Sequence, residues 1–305
     1  MRKSVTMIGA GLLVSLMLLG TVQAAAPCCA RTTAAVAGHA GCPEGPCVMM
    51  GTQAYTFRLF TLFEAIDKAQ ALGLHTMEGF PGQTFSKDHP DVKFDHNLPL
   101  PLIAKLKNKL DDAQVRLLGY GVVGLPNDEA EARKVFDFAK VLGVTTITTE
   151  PDEAALELID RLANEYQINI AIHNHPAPSH YWSPDVVLKA IEGRSKRIGA
   201  CADTGHWVRS GLDPLECLKK LEGRILWSHF KDLKEKKKDS HDVPWGTGVS
   251  NAKALLVEMH RQGLKGCIIV EYEHNWENSM PEIAQCAAFF QKVMSEICPA
   301  KKAVE

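Results

Sequence analysis

The chain has 305 residues, 46% hydrophobic and 23% charged, which suits one large domain or two small ones. Lys and Arg number 34 against 36 Asp and Glu, a formal charge of −2. That balance repels polyanions and argues against nucleic acid or an anionic lipid surface as a partner.

Residues 1–24 open with Arg2 and Lys3, continue with an apolar run and end in small residues (Val22, Gln23, Ala24). This is the order of a secretory signal peptide, with cleavage expected after Ala24. The apolar run is short for a membrane span, and no other segment approaches the ~20 residues that one needs. Cleavage would also remove Arg2 and Lys3, leaving the mature chain more acidic. A periplasmic or secreted protein with no membrane attachment after cleavage is expected.

Residues 25–47 form an Ala-, Gly- and Pro-rich linker with Cys28, Cys29, Cys42 and Cys47, four of the nine cysteines. Export permits disulfides there, and the spacing fits no standard zinc pattern. Cys201 and Cys267 sit in strand-like runs and read as small core residues.

From residue 48 to 298, β-rich runs alternate with helical patterns, and 299–305 is a tail. The runs are 48–57, 74–80, 115–123, 144–150, 168–174, 197–203, 224–230 and 266–273. Between them lie segments such as LFEAIDKAQAL (62–72) and DEAEARKVFDFAKVL (128–142), apolar at three- and four-residue spacing. Gly73, Gly143 and Gly263 follow helix ends, where a left-handed cap is expected. Eight strand–helix units predict a single (β/α)8 TIM barrel. An open doubly wound sheet is the alternative, but no glycine-rich phosphate turn follows the first strand.

In such a barrel, function gathers at the C-terminal strand ends. Those ends carry Glu78, Glu150, His173-Asn174-His175, Asp203 with His206, His229 with Lys231, and Glu271 with Glu273. Carboxylates and imidazoles converging from five consecutive strands are what a divalent cation needs.

The stretches CADTGHW (201–207), WSHFKD (227–232), PWGTG (244–248) and IVEYE (269–273), in this order, resemble the sugar phosphate isomerase/epimerase family of xylose isomerase-like TIM barrels. The resemblance implies a metal held by Asp203, His229 and Glu271, with His173 standing where the family usually has a glutamate. An imidazole there favours Mn, Zn, Co or Fe over Mg. It also weakens a symmetric two-carboxylate proton swap, and Glu150 could serve instead as ligand or base. Lys231 and Glu271 are the other catalytic candidates. His175, His206, Trp207 and Glu273 are candidates for substrate contact, and Trp182 and Trp276 for stacking on a sugar ring or capping the barrel. Arg209 could bind a substrate anion or an internal carboxylate.

The resemblance implies an enediolate reaction on a small sugar. The leading expectation is an isomerase or epimerase of an unphosphorylated sugar or keto-sugar, since export separates the enzyme from sugar phosphates. A lyase or hydratase on a keto-sugar and a non-catalytic sugar-binding barrel are the alternatives, and a homo-oligomer is left open. The superfamily's abasic-site endonucleases are disfavoured by export and acidity. N-terminal sequencing of exported protein should start near Ala25; finding residues 1–24 intact would make the segment an anchor.

Overall fold

The structure, a computed structural model, describes residues 48–264 and 266–298. The expected leader, the 25–47 segment with its four cysteines and the 299–305 tail lie outside the described residues. Eight parallel strands close into a barrel: β1 Met49–Gln53, β2 Thr76–Gly79, β3 Arg116–Tyr120, β4 Thr146–Thr149, β5 Asn169–His173, β6 Ile198–Asp203, β7 Ile225–Phe230 and β8 Cys267–Val270. Each strand pairs with its sequence neighbours, and β8 closes on β1 with Met49 opposite Cys267. The helices are α1 Leu62–Ala71, α2 Leu100–Ala113, α3 Glu129–Leu142, α4 Leu156–Tyr166, α5 Pro184–Ala190, a short α6 Thr204–Arg209, α7 Pro214–Lys220, α8 Ala252–Arg261 and α9 Met280–Ile297. The fold is the expected TIM barrel, not an open sheet. Among the described residues no helix is long and apolar enough to cross a membrane.

Local sequence explains the helix boundaries. Thr61 and Glu64 form a capping box on α1: the Glu64 amide donates to Thr61 Oγ1 at 3.2 Å, and Thr61 N donates back to Glu64 Oε2 at 3.0 Å. Asp128 accepts from the Glu131 amide to start α3, and Gly143 ends it at φ 77°, as expected of a left-handed cap. Two strands are shorter than their apolar runs. β1 stops at Gln53, whose side chain accepts from Tyr55 N at 3.2 Å and starts a 3-10 turn over Ala54–Phe57. β8 stops at Val270, so Glu271 stands just beyond the ladder.

The two-residue period of each strand decides which side chains fill the barrel. Ala171, Cys201, Trp227, Cys267 and Ile269 pack together inside, apart from the larger core in which Ile170, Ile172, Ala200, Ala202, Ile268 and Val270 meet the helices. Continuing the inward rows two residues toward the C-terminal rim gives His173, Asp203, His229 and Glu271. The site is thus the next layer above the apolar plug.

Trp227 is the largest piece of that plug, and Gly119 on β3 makes room for it. A Cβ at Gly119 would lie 2.7 Å from Trp227 Cζ2 and 2.8 Å from Glu78 Cγ. Gly119→Ala should therefore destabilise the barrel by about 1–3 kcal/mol through overpacking, read by denaturant titration. An unchanged midpoint would show that Trp227 can yield freely.

Candidate metal centre

His173, Asp203, His229 and Glu271 each offer one ligand atom within 4.8 Å of the others, and all four are buried. They come from β5, β6, β7 and the residue after β8. Asn174 ties two of these strand ends together: its Nδ2 donates to Asp203 O at 3.0 Å, and Asp203 N donates to its Oδ1 at 2.8 Å. The Asn of AIHNHP thereby sets the height of Asp203 against His173.

Two imidazole nitrogens face the carboxylates. His173 Nε2 lies 3.5 Å from Asp203 Oδ2, and His229 Nδ1 lies 3.2 Å from Glu271 Oε2. Both nitrogens are buried and make no hydrogen bond. Buried polar atoms are nearly always satisfied, so two orphans within one cluster of ligand-type side chains mark a place for a further ligand. The opposite nitrogen of each ring is held by a carboxylate: His173 Nδ1 by Glu150 Oε1 at 3.0 Å, His229 Nε2 by Glu78 Oε2 at 2.7 Å. Carboxylate-backed imidazoles with the free nitrogen pointing inward are the usual setting of metal-ligating histidines. The residues present therefore fit a divalent cation, with two neutral nitrogens and two anionic oxygens as donors.

Lys231, one inward step above His229, is fully buried, and its Nζ donates to both Asp203 Oδ2 and Glu271 Oε2. Burial alone would push both carboxyl groups up. Around Asp203 the charges of His206 and Lys231 and the His173 contact outweigh it, and His229 and Lys231 do so around Glu271. Both are held well below the usual carboxylate range. Burial would lower Lys231, but the same two carboxylates raise it well above the ordinary lysine value. His206 is held well below the usual imidazole value, chiefly by burial.

The remaining candidates divide in two. His175 is half exposed above His173, their ring centroids 4.5 Å apart. Its Nδ1 contacts the same Glu150 Oε1, while Ser179 Oγ donates to Glu150 Oε2 at 2.8 Å. Glu150 is outside the four-residue cluster and holds two histidines in place. The buried His206 ring stacks on that of His175, their centroids 5.3 Å apart. Arg209 meets internal carboxylates: Asp242 at 3.2 Å and Glu273 at 2.5 Å. Glu273, expected at the substrate, is thus occupied by an arginine. Trp207 requires a correction. Its ring is packed into the apolar core with 1% exposure, because α6 starts at once after β6 and turns it inward, so it offers no face to a sugar. Trp276 caps the rim under the Arg58 guanidinium, 3.8 Å from its ring centre, and Trp182 is half-buried.

Glu78 is the functional residue that sequence reasoning left unassigned. It ends β2 and is fully buried, accepting from His229 at 2.7 Å, from Trp227 Nε1 at 2.5 Å and from Thr148 Oγ1. Its place at a strand end was the available signal.

Residues 66–293 match the family described as xylose isomerase-like TIM barrel. Over 142 residues, 41% of this chain, the sequence is 26% identical to an inosose dehydratase of Lacticaseibacillus casei; the match takes in 47% of that protein, so the chain spans about half the length of the curated relatives it matches. A solved structure of an uncharacterised protein from Parabacteroides distasonis is 36% identical, with TM-score 0.66 over 80% of this chain and 98% of that one. The IolI protein with a bound zinc atom shares the fold at 16% identity, with TM-score 0.62 over 82% of this chain and 99% of that one.

His173→Ala and Asp203→Ala should each remove most bound metal, measured by elemental analysis after dialysis. Glu78→Gln keeps all four donors but loosens His229, and should weaken metal affinity roughly 10–100-fold. Equal affinity in Glu78→Gln would show that His229 needs no backing.

Proposed function

From the chain's membership of the xylose isomerase-like TIM-barrel family, we propose that it is a divalent-metal-dependent enzyme that enolises an unphosphorylated keto-sugar or keto-polyol and expels a β-hydroxyl as water. The observation that carries this reading is the pair of unlike groups on opposite sides of the cluster. Glu271 stands at β8, and His175, backed by Glu150, stands at β5. A cation held by His173, Asp203, His229 and Glu271 would polarise the substrate carbonyl and acidify the neighbouring C–H.

Glu271, kept ionised by its cationic neighbours, takes the α-proton. Lys231 supplies positive charge beside the oxygen that becomes negative. His175 presents its Nε2 at the open side, with Glu150 fixing the ring through Nδ1, and protonates the departing hydroxyl. His206, stacked on His175, suits a hydrogen bond to a further hydroxyl. Glu150 moves from candidate base to positioning residue, because its oxygens are engaged by His173, His175 and Ser179.

This reverses the order of activities expected from the sequence, where isomerisation or epimerisation led. With His173 in place of a strand-end glutamate, the group facing Glu271 is an imidazole suited to leaving-group protonation rather than a second carboxylate base. The inosose dehydratase relatives agree with water loss. The zinc of IolI and the two imidazole donors favour Zn, Mn, Co or Fe over Mg. Export, read from residues 1–24, is the reason for choosing unphosphorylated substrates.

The test is incubation of the metal-loaded protein with inosose and a panel of keto-sugars in D2O, followed by NMR and mass spectrometry. Solvent deuterium at the carbon beside the carbonyl, with loss of water, is expected. His175→Ala should slow water loss by roughly 100-fold or more while α-deuterium exchange persists. Deuterated product without water loss would return the enzyme to the isomerases and epimerases. Binding without any exchange would make it a sugar-binding barrel.

A further inference from the structure

Lys231 contacts the metal cluster through the same oxygens that would hold a cation. Its Nζ donates to Asp203 Oδ2, the atom facing His173 Nε2, and to Glu271 Oε2, the atom facing His229 Nδ1. An ammonium hydrogen-bonded to these two lone-pair sites and a dication coordinated by them exclude one another, by like charge and by shared donors.

The lysine is anchored at its base by its backbone, while its tip is held by the two carboxylates. Its backbone is clamped from both sides by Thr204 Oγ1, which accepts from Lys231 N and donates to Lys231 O, each at 2.9 Å. Its alkyl stem runs past Gly205, where a Cβ would lie 2.7 Å from Lys231 Cβ and 2.9 Å from Cδ. The glycine of CADTGHW therefore opens a channel for this stem. Beyond Cδ, rotation about the terminal bonds moves the ammonium without disturbing the backbone.

We propose that Lys231 is the resident cation of the metal-free site, that an arriving divalent ion displaces its ammonium from Asp203 and Glu271, and that the released ammonium then serves the substrate oxygen. The inference rests on the cluster being a metal centre and goes beyond it by making the catalytic lysine available only after metal has bound. It implies an order: metal first, substrate second. It also accounts for a buried lysine and two buried carboxylates coexisting with two unpaired imidazole nitrogens, since the ammonium satisfies the oxygens and leaves the nitrogens for the metal.

The experiment is calorimetric titration of zinc into the metal-free wild type and Lys231→Met. Removing the competitor leaves two buried carboxylates unpaired, so Lys231→Met should bind zinc more tightly, on the order of tenfold or more. Equal or weaker affinity would overturn the proposal while leaving the metal centre intact; failure of both proteins to bind zinc would overturn the metal centre as well. Should Lys231→Met not fold, 15N-lysine NMR of the wild type decides. The ammonium signal protected by two buried carboxylates must shift or vanish when zinc saturates the site, and a signal indifferent to zinc would overturn the exchange.

Discussion

A carboxylate with no solvent exposure costs several kcal/mol unless donors meet it, and Glu78 is met by three. Trp227 comes from the apolar plug below, His229 from the candidate metal cluster, and Thr148 from β4, two strands along the barrel wall. These bonds join the packing of the interior to the orientation of an imidazole in the candidate metal cluster. If Trp227 shifts, Glu78 loses a donor; if Glu78 turns, His229 no longer aims Nδ1 at Glu271. Gly119 keeps both in place by lacking a side chain. The geometry of the rim cluster therefore depends on the fit of an indole ring buried beneath it.

The motif residues divide by the same alternation. In WSHFKD, Trp227, His229 and Lys231 face the barrel axis, and Asp232 turns the other way. Its Oδ2 gathers the amides of Gly246 and Gly248, each at 2.9 Å, and its Oδ1 accepts from Ser250 N at 3.0 Å. PWGTG is thus the loop that Asp232 folds. Asp242 gathers Arg209 and the Glu273 amide, so the segments after β6, β7 and β8 are laced together outside the metal layer. Burial pushes Asp242 up to about 7, with the Glu273 charge adding to it and Lys231 and Arg209 opposing.

The barrel was legible because strand periodicity and helix caps are local. So was the convergence of His173, Asp203, His229 and Glu271, since each row continues a pattern visible within its own strand. Glu78 was visible only as a strand-end acid. Its partner His229 is 151 positions away in sequence, and only closure of the barrel brings them together. Trp207 misled for a related reason. An aromatic just after a strand looks available, and only the immediate start of α6 turns it into the core. The role of Glu150 depended on two rings, His173 and His175, sharing one oxygen, which spacing alone does not reveal. Arg209 was open between substrate and internal partners until Asp242 and Glu273 were placed beside it.

The inward rows act as a ruler. Successive inward residues stand about 6.6 Å apart along a strand, so Ala171, His173 and His175 mark three depths along β5 and its extension. The lowest is packing, the middle belongs to the candidate metal cluster, and the highest is half exposed. A change at the highest mark reaches the middle one through the Glu150 oxygen that His173 and His175 share, and leaves the packing at Ala171 in place. Barrels of this kind can therefore vary at the outer residue while keeping the same four-residue cluster and folding around the same interior.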